Sequence, residues 1–305
     1  MGAVLQTISI SRTVADALGE GPVAARVLAC FPSACDLLTD NGSVIALVAP
    51  RHGNGPLNVV VEGLEEHPAA WQPQMEAALS SQSITMEGHT LDLSGAETWE
   101  PRPPWAQLRG RVSQIRRRLP EAHALAARAT GVESLLAIIE DQLNAPWIGR
   151  AIPPTSAGGS FENGVTALAS KALDHLDRGM DGDQGELAQG SHMLAGLGRG
   201  LTPAGDDFLM GVMIWAWMTE REPKKLCDQI VSIANGRTSV LAGAMLKAAR
   251  RGECSQSWHE FLGALGGDRS SELAGVLHAV LQHGATSGTD TLAGFLWAGL
   301  RRRGC

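Results

Sequence analysis

The chain has 305 residues, 44% of them hydrophobic and 19% charged, enough apolar material for about two packed domains. A net charge of −7, with a pI near 5.7, argues against non-specific nucleic-acid binding, which needs a basic face. No apolar run reaches the ~18 residues of a membrane span; Met1-Gly2-Ala3-Val4 lacks the basic segment and cleavage site of a signal peptide; and five cysteines without C-x-x-C spacing read as reduced thiols of a cytoplasmic protein.

The first hundred residues predict short strands. Val23–Phe31, Val44–Val48 and Val59–Val61 are β-branched or apolar stretches, separated by the turn signals Asp40-Asn41-Gly42 and Gly53-Asn54-Gly55-Pro56. Ile84–Leu93 supplies two more strands around Glu87-Gly88. Strands this short and close together suggest an antiparallel sheet or small barrel. Pro101, Pro103 and Pro104 mark a boundary, after which the helical period takes over. Helices are expected at Trp105–Leu119, Glu121–Ala129 and Val132–Leu143, followed by a Pro- and Gly-rich loop at Ala145–Ser160. Further helices are expected at Phe161–Leu176, Gly185–Leu197, Ala204–Met218, Lys224–Ala234, Ser239–Arg250, Gln256–Leu265, Ser271–His283 and Gly288–Arg302. The fold class is therefore α+β: a β-rich N-terminal domain over 1–100, as a sheet or small barrel, and a larger α-helical domain over 101–305.

One phrase occurs twice in the helical part. Gly205-Asp206-Asp207-Phe208-Leu209-Met210-Gly211 and Gly288-Thr289-Asp290-Thr291-Leu292-Ala293-Gly294 both read Gly-x-Asp-x-Leu-x-Gly. Gly200 and Thr202 precede the first copy, Gly284 and Thr286 the second, and each copy launches an apolar helix. Thr202 suits an N-cap with Pro203 at the first helical position; Ser287 suits the second cap, with Asp290 at capping-box spacing. Capping alone explains either copy, but it needs neither Gly205 and Gly288 nor the later Gly211 and Gly294. Those glycines suggest two helices crossing closely with their N-termini side by side, concentrating N–H donors around one small anion. Asp206, Asp207 and Asp290 would repel that anion. Either Mg²⁺ held by Asp206 and Asp207 bridges carboxylates and phosphate, or the three carboxylates accept hydrogen bonds from an amide or ureido NH₂ group.

Other candidates are weaker. Asn54 and Gly55, in the polar turn before a strand, are candidate ligand contacts as well as plain turn residues. Gly158-Gly159-Ser160 reads as a loop, and the basic residues Arg109–Arg118 as a solvated face or a contact for an acidic partner. There is no H-x-x-x-H pair, no G-x-S-x-G and no G-x-x-x-x-G-K-[ST], so zinc enzyme, serine-hydrolase elbow and P-loop find no support. Tyrosine is absent, which removes it as a catalytic acid.

Gly198-Arg199-Gly200-Leu201-Thr202-Pro203-Ala204-Gly205-Asp206-Asp207-Phe208-Leu209 resembles the G-x-G-L-T-P-S-G-D-D-F-L signature of the DUF2877 family, with Ala204 where serine is common. Gly284–Gly294 is similar to that family's closing motif, Gly53-Asn54-Gly55-Pro56 to its N-terminal motif, and Ser239–Gly252 to the helix between them. The resemblance implies a subunit of an oxamate carbamoyltransferase of allantoin catabolism and purine degradation, interconverting oxalurate plus phosphate with oxamate plus carbamoyl phosphate. It also implies partner subunits, one of them similar to acyl-CoA synthetases.

The expected function is thus a transferase subunit that binds a small anion (oxalurate, carbamoyl phosphate or phosphate) through Gly200, Thr202, Pro203, Gly205, Thr286, Ser287, Gly288, Asn54 and Gly55, with Asp206, Asp207 and Asp290 carrying the chemistry. Two alternatives stand beside it: a non-catalytic metabolite- or nucleotide-binding subunit of a complex, and a Mg²⁺-dependent hydrolase.

Overall fold

A computed structural model describes residues 3–66, 71–129, 134–139, 160–267 and 272–301. The chain divides into two compact units: residues 1–103 with 253–256, and residues 104–252 with 257–305.

The first unit is built from β1 (Ala3–Ser11), α1 (Arg12–Gly19), β2 (Val23–Phe31), β3 (Ala34–Thr39), β4 (Val44–Val48), β5 (Asn58–Val61), β6 (Glu76–Leu79), β7 (Ser83–Met86), β8 (His89–Asp92) and β9 (Glu97–Trp99). The strand order is β5-β4-β3-β2-β6-β7-β8-β1, and β1 pairs back onto β5, so eight strands close a barrel-like ring. β9 continues beside the end of β1. The ring is mixed: β1 runs parallel to β8, and β4 runs parallel to β5. The turn at Gly53–Pro56 therefore belongs to a crossover between parallel neighbours, which a tight hairpin cannot make. Gly53 takes φ +64, Asn58 Nδ2 donates to its carbonyl at 3.0 Å, and a Cβ on Gly55 would collide with the Asn58 side chain. Leu5, Val27, Leu37, Leu47, Val59, Leu79, Ile84 and Leu91 fill the core.

Cys30 and Cys35 are joined as a disulfide rather than standing as separate thiols. The turn after Phe31 sets them directly opposite in the β2–β3 register, with Cα atoms 4.2 Å apart. Cys227 and Cys254 are free and buried, and burial pushes the Cys227 thiol up to about 12, so it stays protonated and unreactive.

The second unit is helical: α2 (Trp105–Gly110), α3 (Val112–Ala129), α4 (Ser160–Met180), α5 (Gln184–Leu194), α6 (Ala204–Thr219), α7 (Pro223–Ala234), α8 (Val240–Arg250), α9 (Gln256–Gly266), α10 (Leu273–Leu281) and α11 (Ser287–Leu300). Residues 136–139 form one further helical turn; the rest of the expected Val132–Leu143 helix, and the loop expected up to Ser160, lie almost wholly outside the described residues. Gly110–Arg111 breaks α2 from α3, whereas Pro120 sits inside α3 without ending it.

α6 and α11 form the centre. Every residue from Gly205 to Ala216 and from Gly288 to Gly299 is buried, as expected of helices apolar on all sides. α2, α5, α7 and α8 pack around α6, and α3 and α10 around α11. Trp215 and Phe295 meet edge to face at 5.3 Å, and Trp258 and Phe261 of α9 join the same aromatic cluster. The arginines read as a solvated face are exposed except for the half-buried Arg118, and several also make contacts within the unit. Arg109 donates to Trp217 O at the end of α6, Arg111 and Arg118 donate to the last carbonyls of α9, and Arg116 lies over the Trp215 ring at 5.3 Å. Unpaired carbonyls at a helix C-terminus attract cations, so these positions follow from the helix dipole.

Arg301, with its side chain 5% exposed, ties the end of α11 to Asp177 of α4 at 2.9 Å and to Asp181, just after α4, at 2.8 Å. Arg301→Met should lower stability by about 2 kcal/mol in urea unfolding, less than a fully buried pair would lose because both aspartates remain partly solvated; an unchanged midpoint would show that the pair contributes nothing.

Candidate functional site

The repeated phrase places its glycines where the two central helices touch. A Cβ on Gly211 would overlap the carbonyl oxygen of Thr291 and the amide nitrogen of Phe295; one on Gly294 would overlap the carbonyl of Phe208. Backbone-to-backbone contact of this kind is open only to glycine. At the N-termini the hydroxyls of Thr202 and Ser287 meet at 2.7 Å. The two helix starts are therefore clasped side by side.

α6 begins at Ala204 as expected and α11 one residue earlier than expected; both cap positions move by one residue, and the hydroxyls change role with them. α6 begins after Pro203, whose carbonyl accepts from the Asp206 and Asp207 amides; α11 begins after Thr286, whose carbonyl accepts from the Asp290 amide. Neither helix has a side-chain cap, so Thr202 and Ser287 bond to each other instead of capping, and Asp290 closes no capping box. The Gly205 amide donates to Leu197 O, and the Gly288 amide to His283 O, each at 2.9 Å. These two glycines are thus spent as donors. What they provide is close approach, to Leu194 O and Val280 O of the preceding helices. The first-turn amides of Ala204, Ser287 and Thr289 have no acceptor among the described residues.

Gly200 adopts φ +89 in the loop before α6, and both it and Thr286 are exposed, whereas Pro203 is buried. Ser239, which caps α8, donates to Leu201 O and so steadies that loop. Asn54 and Gly55 belong to the β unit. Asn54 accepts from Ser9 Oγ at 2.6 Å and donates to Gln256 Oε1 at 3.0 Å, bonds that hold its own unit together.

The three aspartates have different surroundings. Asp206 is partnered at both oxygens: both accept from the Gly196 amide, and Thr238 Oγ1 donates to Oδ2 at 2.5 Å. Burial raises its pKa, and those bonds pull it back. Asp290, 1% exposed, accepts from the Leu135 amide at 2.8 Å through Oδ1, while Oδ2 has no partner among the described residues. Burial pushes it up to about 6, opposed by Leu135 and Thr286. Asp207, also 1% exposed, has no hydrogen-bond partner at either oxygen among the described residues. Burial holds it well above the usual carboxylate range; the Asp290 and Asp206 charges reinforce this, and the neighbouring Ser287 hydroxyl opposes it. Sequence reasoning missed Thr238 and Leu135, because nothing in their local pattern distinguishes them from ordinary helix-entry and core residues.

The raised carboxyls of Asp206, Asp207 and Asp290 give a definite pH dependence. A folded carboxyl that holds its proton more tightly than the unfolded one stabilises the fold at low pH and ceases to do so as pH rises through the folded value. Melting temperature should therefore fall as pH rises through about 6 and beyond; a rise across that range would contradict the assigned environments.

The arrangement suits Mg²⁺ poorly. No group of three or more His, Cys, Asp or Glu residues is placed to hold a metal among the described residues, and Asp206, one of the two expected ligands, spends its lone pairs on Gly196 and Thr238. No helix among the described residues is long and apolar enough to cross a membrane.

Two family models match the chain. Residues 6–98 match the AllH family N-terminal domain, and residues 194–299, which include both copies of the repeated phrase, match the oxamate carbamoyltransferase subunit AllH. No solved structure matches the chain.

Proposed function

The chain belongs to the AllH family, and on that premise we propose that it serves as a subunit of an oxamate carbamoyltransferase, holding a small anionic substrate where α6 and α11 begin. The observation that carries the second half of this reading is the Thr202–Ser287 clasp: it joins two helix N-termini whose Ala204, Ser287 and Thr289 amides lack acceptors among the described residues. Paired N-termini favour negative charge through both free donors and aligned dipoles. Thr202, Ser287 and Thr286 add hydroxyl donors, and Gly200 and Pro203 shape the loop around them. Oxalurate, carbamoyl phosphate and phosphate all fit this chemistry.

In the reaction, an oxygen of hydrogen phosphate attacks the ureido carbonyl of oxalurate, the C–N bond breaks, and the phosphate's proton passes to the departing nitrogen, so that oxamate leaves with its NH₂ complete. The protein contributes orientation and electrostatic stabilisation of the developing charge. A partner subunit similar to acyl-CoA synthetases completes the enzyme.

The test is carbamoyl phosphate formation from oxalurate and phosphate by this chain with its partner subunits. Thr202→Val with Ser287→Ala should lower kcat/KM by about tenfold or more through the loss of the hydroxyl donor the pair leaves free and of the clasp between the helix starts. Full turnover by the partners without this chain would overturn a catalytic role and leave a binding role.

A further inference from the structure

Asp207 and Asp290 occupy the same place in the two copies, the fourth residue of α6 and of α11. Of their four carboxylate oxygens, Asp290 Oδ1 alone has a partner, the Leu135 amide; Asp207 Oδ1, Asp207 Oδ2 and Asp290 Oδ2 are buried without one among the described residues. The hydroxyl of Ser134, next to that amide, is likewise unpartnered among the described residues. Burying a carboxyl without partners is costly, the more so once it ionises, and a ligand that supplies donors recovers that cost. A carboxylate cannot, because it brings only acceptors, and a phosphate brings its one O–H only together with a double negative charge that buried carboxylates repel. A metal ion finds no third acidic or imidazole ligand among the described residues. What remains is a neutral N–H donor.

The geometry points to Asp207 and Asp290 as the receptor for the NH₂ of a carbamoyl or ureido group, so that the ligand of this site is a small anion carrying a primary amide. This rests on the anion site proposed above and adds the identity of the ligand's other end. The two N–H bonds of a primary amide point apart, so one carboxylate cannot receive both. Two carboxylates on two different helices can, one for each hydrogen. Asp206 takes no part, since its oxygens are already bonded to Gly196 and Thr238. The helix N-termini receive the anionic end and the aspartates read the amide end, which resolves the apparent conflict of placing acids beside an anion. Oxamate has both ends. Oxalate has the same size and the same first carboxylate, but presents an oxygen anion where oxamate presents NH₂, and two buried carboxylates would repel it.

Calorimetric titration of the full chain at pH 8 with oxamate and with oxalate tests this. Oxamate is expected to bind at least about tenfold more tightly, because oxalate leaves the aspartates unpaired and adds a like charge. Asp207→Asn should abolish that preference, since its new NH₂ is a donor facing a donor. Asp290→Asn, whose amide oxygen still accepts from Leu135, should weaken it, which gives a second readout should Asp207→Asn fail to fold. Equal affinity for oxamate and oxalate, with neither variant changing the ratio, would overturn the amide receptor while leaving the anion site standing. Binding of neither at millimolar concentration would overturn both.

Discussion

Gly211→Ala or Gly294→Ala should prevent the helical unit from packing its two central helices. A single methyl group at either position would occupy the space of a backbone carbonyl on the partner helix, Thr291 O in one case and Phe208 O in the other. Neither obstacle is a side-chain tip that can turn away; both are main chain within buried helices. Relief requires the axes to separate, which opens voids along a contact that includes Phe208, Trp297, Trp215 and Phe295. The expected cost is about 3 kcal/mol or more for each variant, at the upper end of overpacking, read as loss of a cooperative thermal transition or a large fall in its midpoint. Gly263→Ala is the control: it lies in α9 with nothing within 4 Å of the added carbon, and should raise stability by about 0.5–1 kcal/mol through helix propensity alone. Equal, small effects at all three positions would show that α6 and α11 are farther apart than described here.

Asp207→Asn should separate stability from function. In the wild type, the folded carboxyl holds its proton above the range in which the unfolded carboxyl loses it, so folding is progressively opposed as pH rises. Asparagine has the same shape and no charge to bury. The variant should therefore be more stable than the wild type at pH 8, and the difference should vanish near pH 4, where the wild-type side chain is also neutral. Turnover should be lost in the same variant. Asp206→Ala should do the reverse on the stability axis, because it strips the Gly196 amide and the Thr238 hydroxyl of their acceptor, at about 1–3 kcal/mol. Chemical denaturation at pH 4 and pH 8 measures all three proteins. A pH-independent loss of stability in Asp207→Asn would mean that the wild-type carboxylate has a partner that keeps it ionised.

The repeated phrase was legible because it stated a packing requirement twice. Gly211 and Gly294 have no use in capping, and a close helix crossing is the condition that demands them. The run of apolar residues after each copy likewise announced helices buried on all sides. β1 and β3 escaped the sequence reading for a physical reason. β1 buries Thr7, Ser9 and Ser11, and β3 buries Asp36, so neither strand shows the apolar alternation by which half-buried strands are recognised. The parallel β4–β5 pairing was hidden because a short Gly- and Pro-containing connection looks like a hairpin until the register is known. Caps moved by one residue because Thr202 and Ser287 had each other available as partners, and local spacing carries no sign of a contact 85 residues away. The same limit applies to Asp290, whose bond to Leu135 spans 155 residues. The different duties of three aspartates that look alike in the sequence depend on such distant neighbours.

The structure of the chain with bound oxamate is the most direct test of the site. The account predicts the carboxylate of oxamate against the Ala204 and Ser287 amides, beside the Thr202–Ser287 hydroxyl pair, and its NH₂ within hydrogen-bond distance of Asp207 and Asp290. Oxamate held elsewhere, with Asp207 still without a donor, would contradict it.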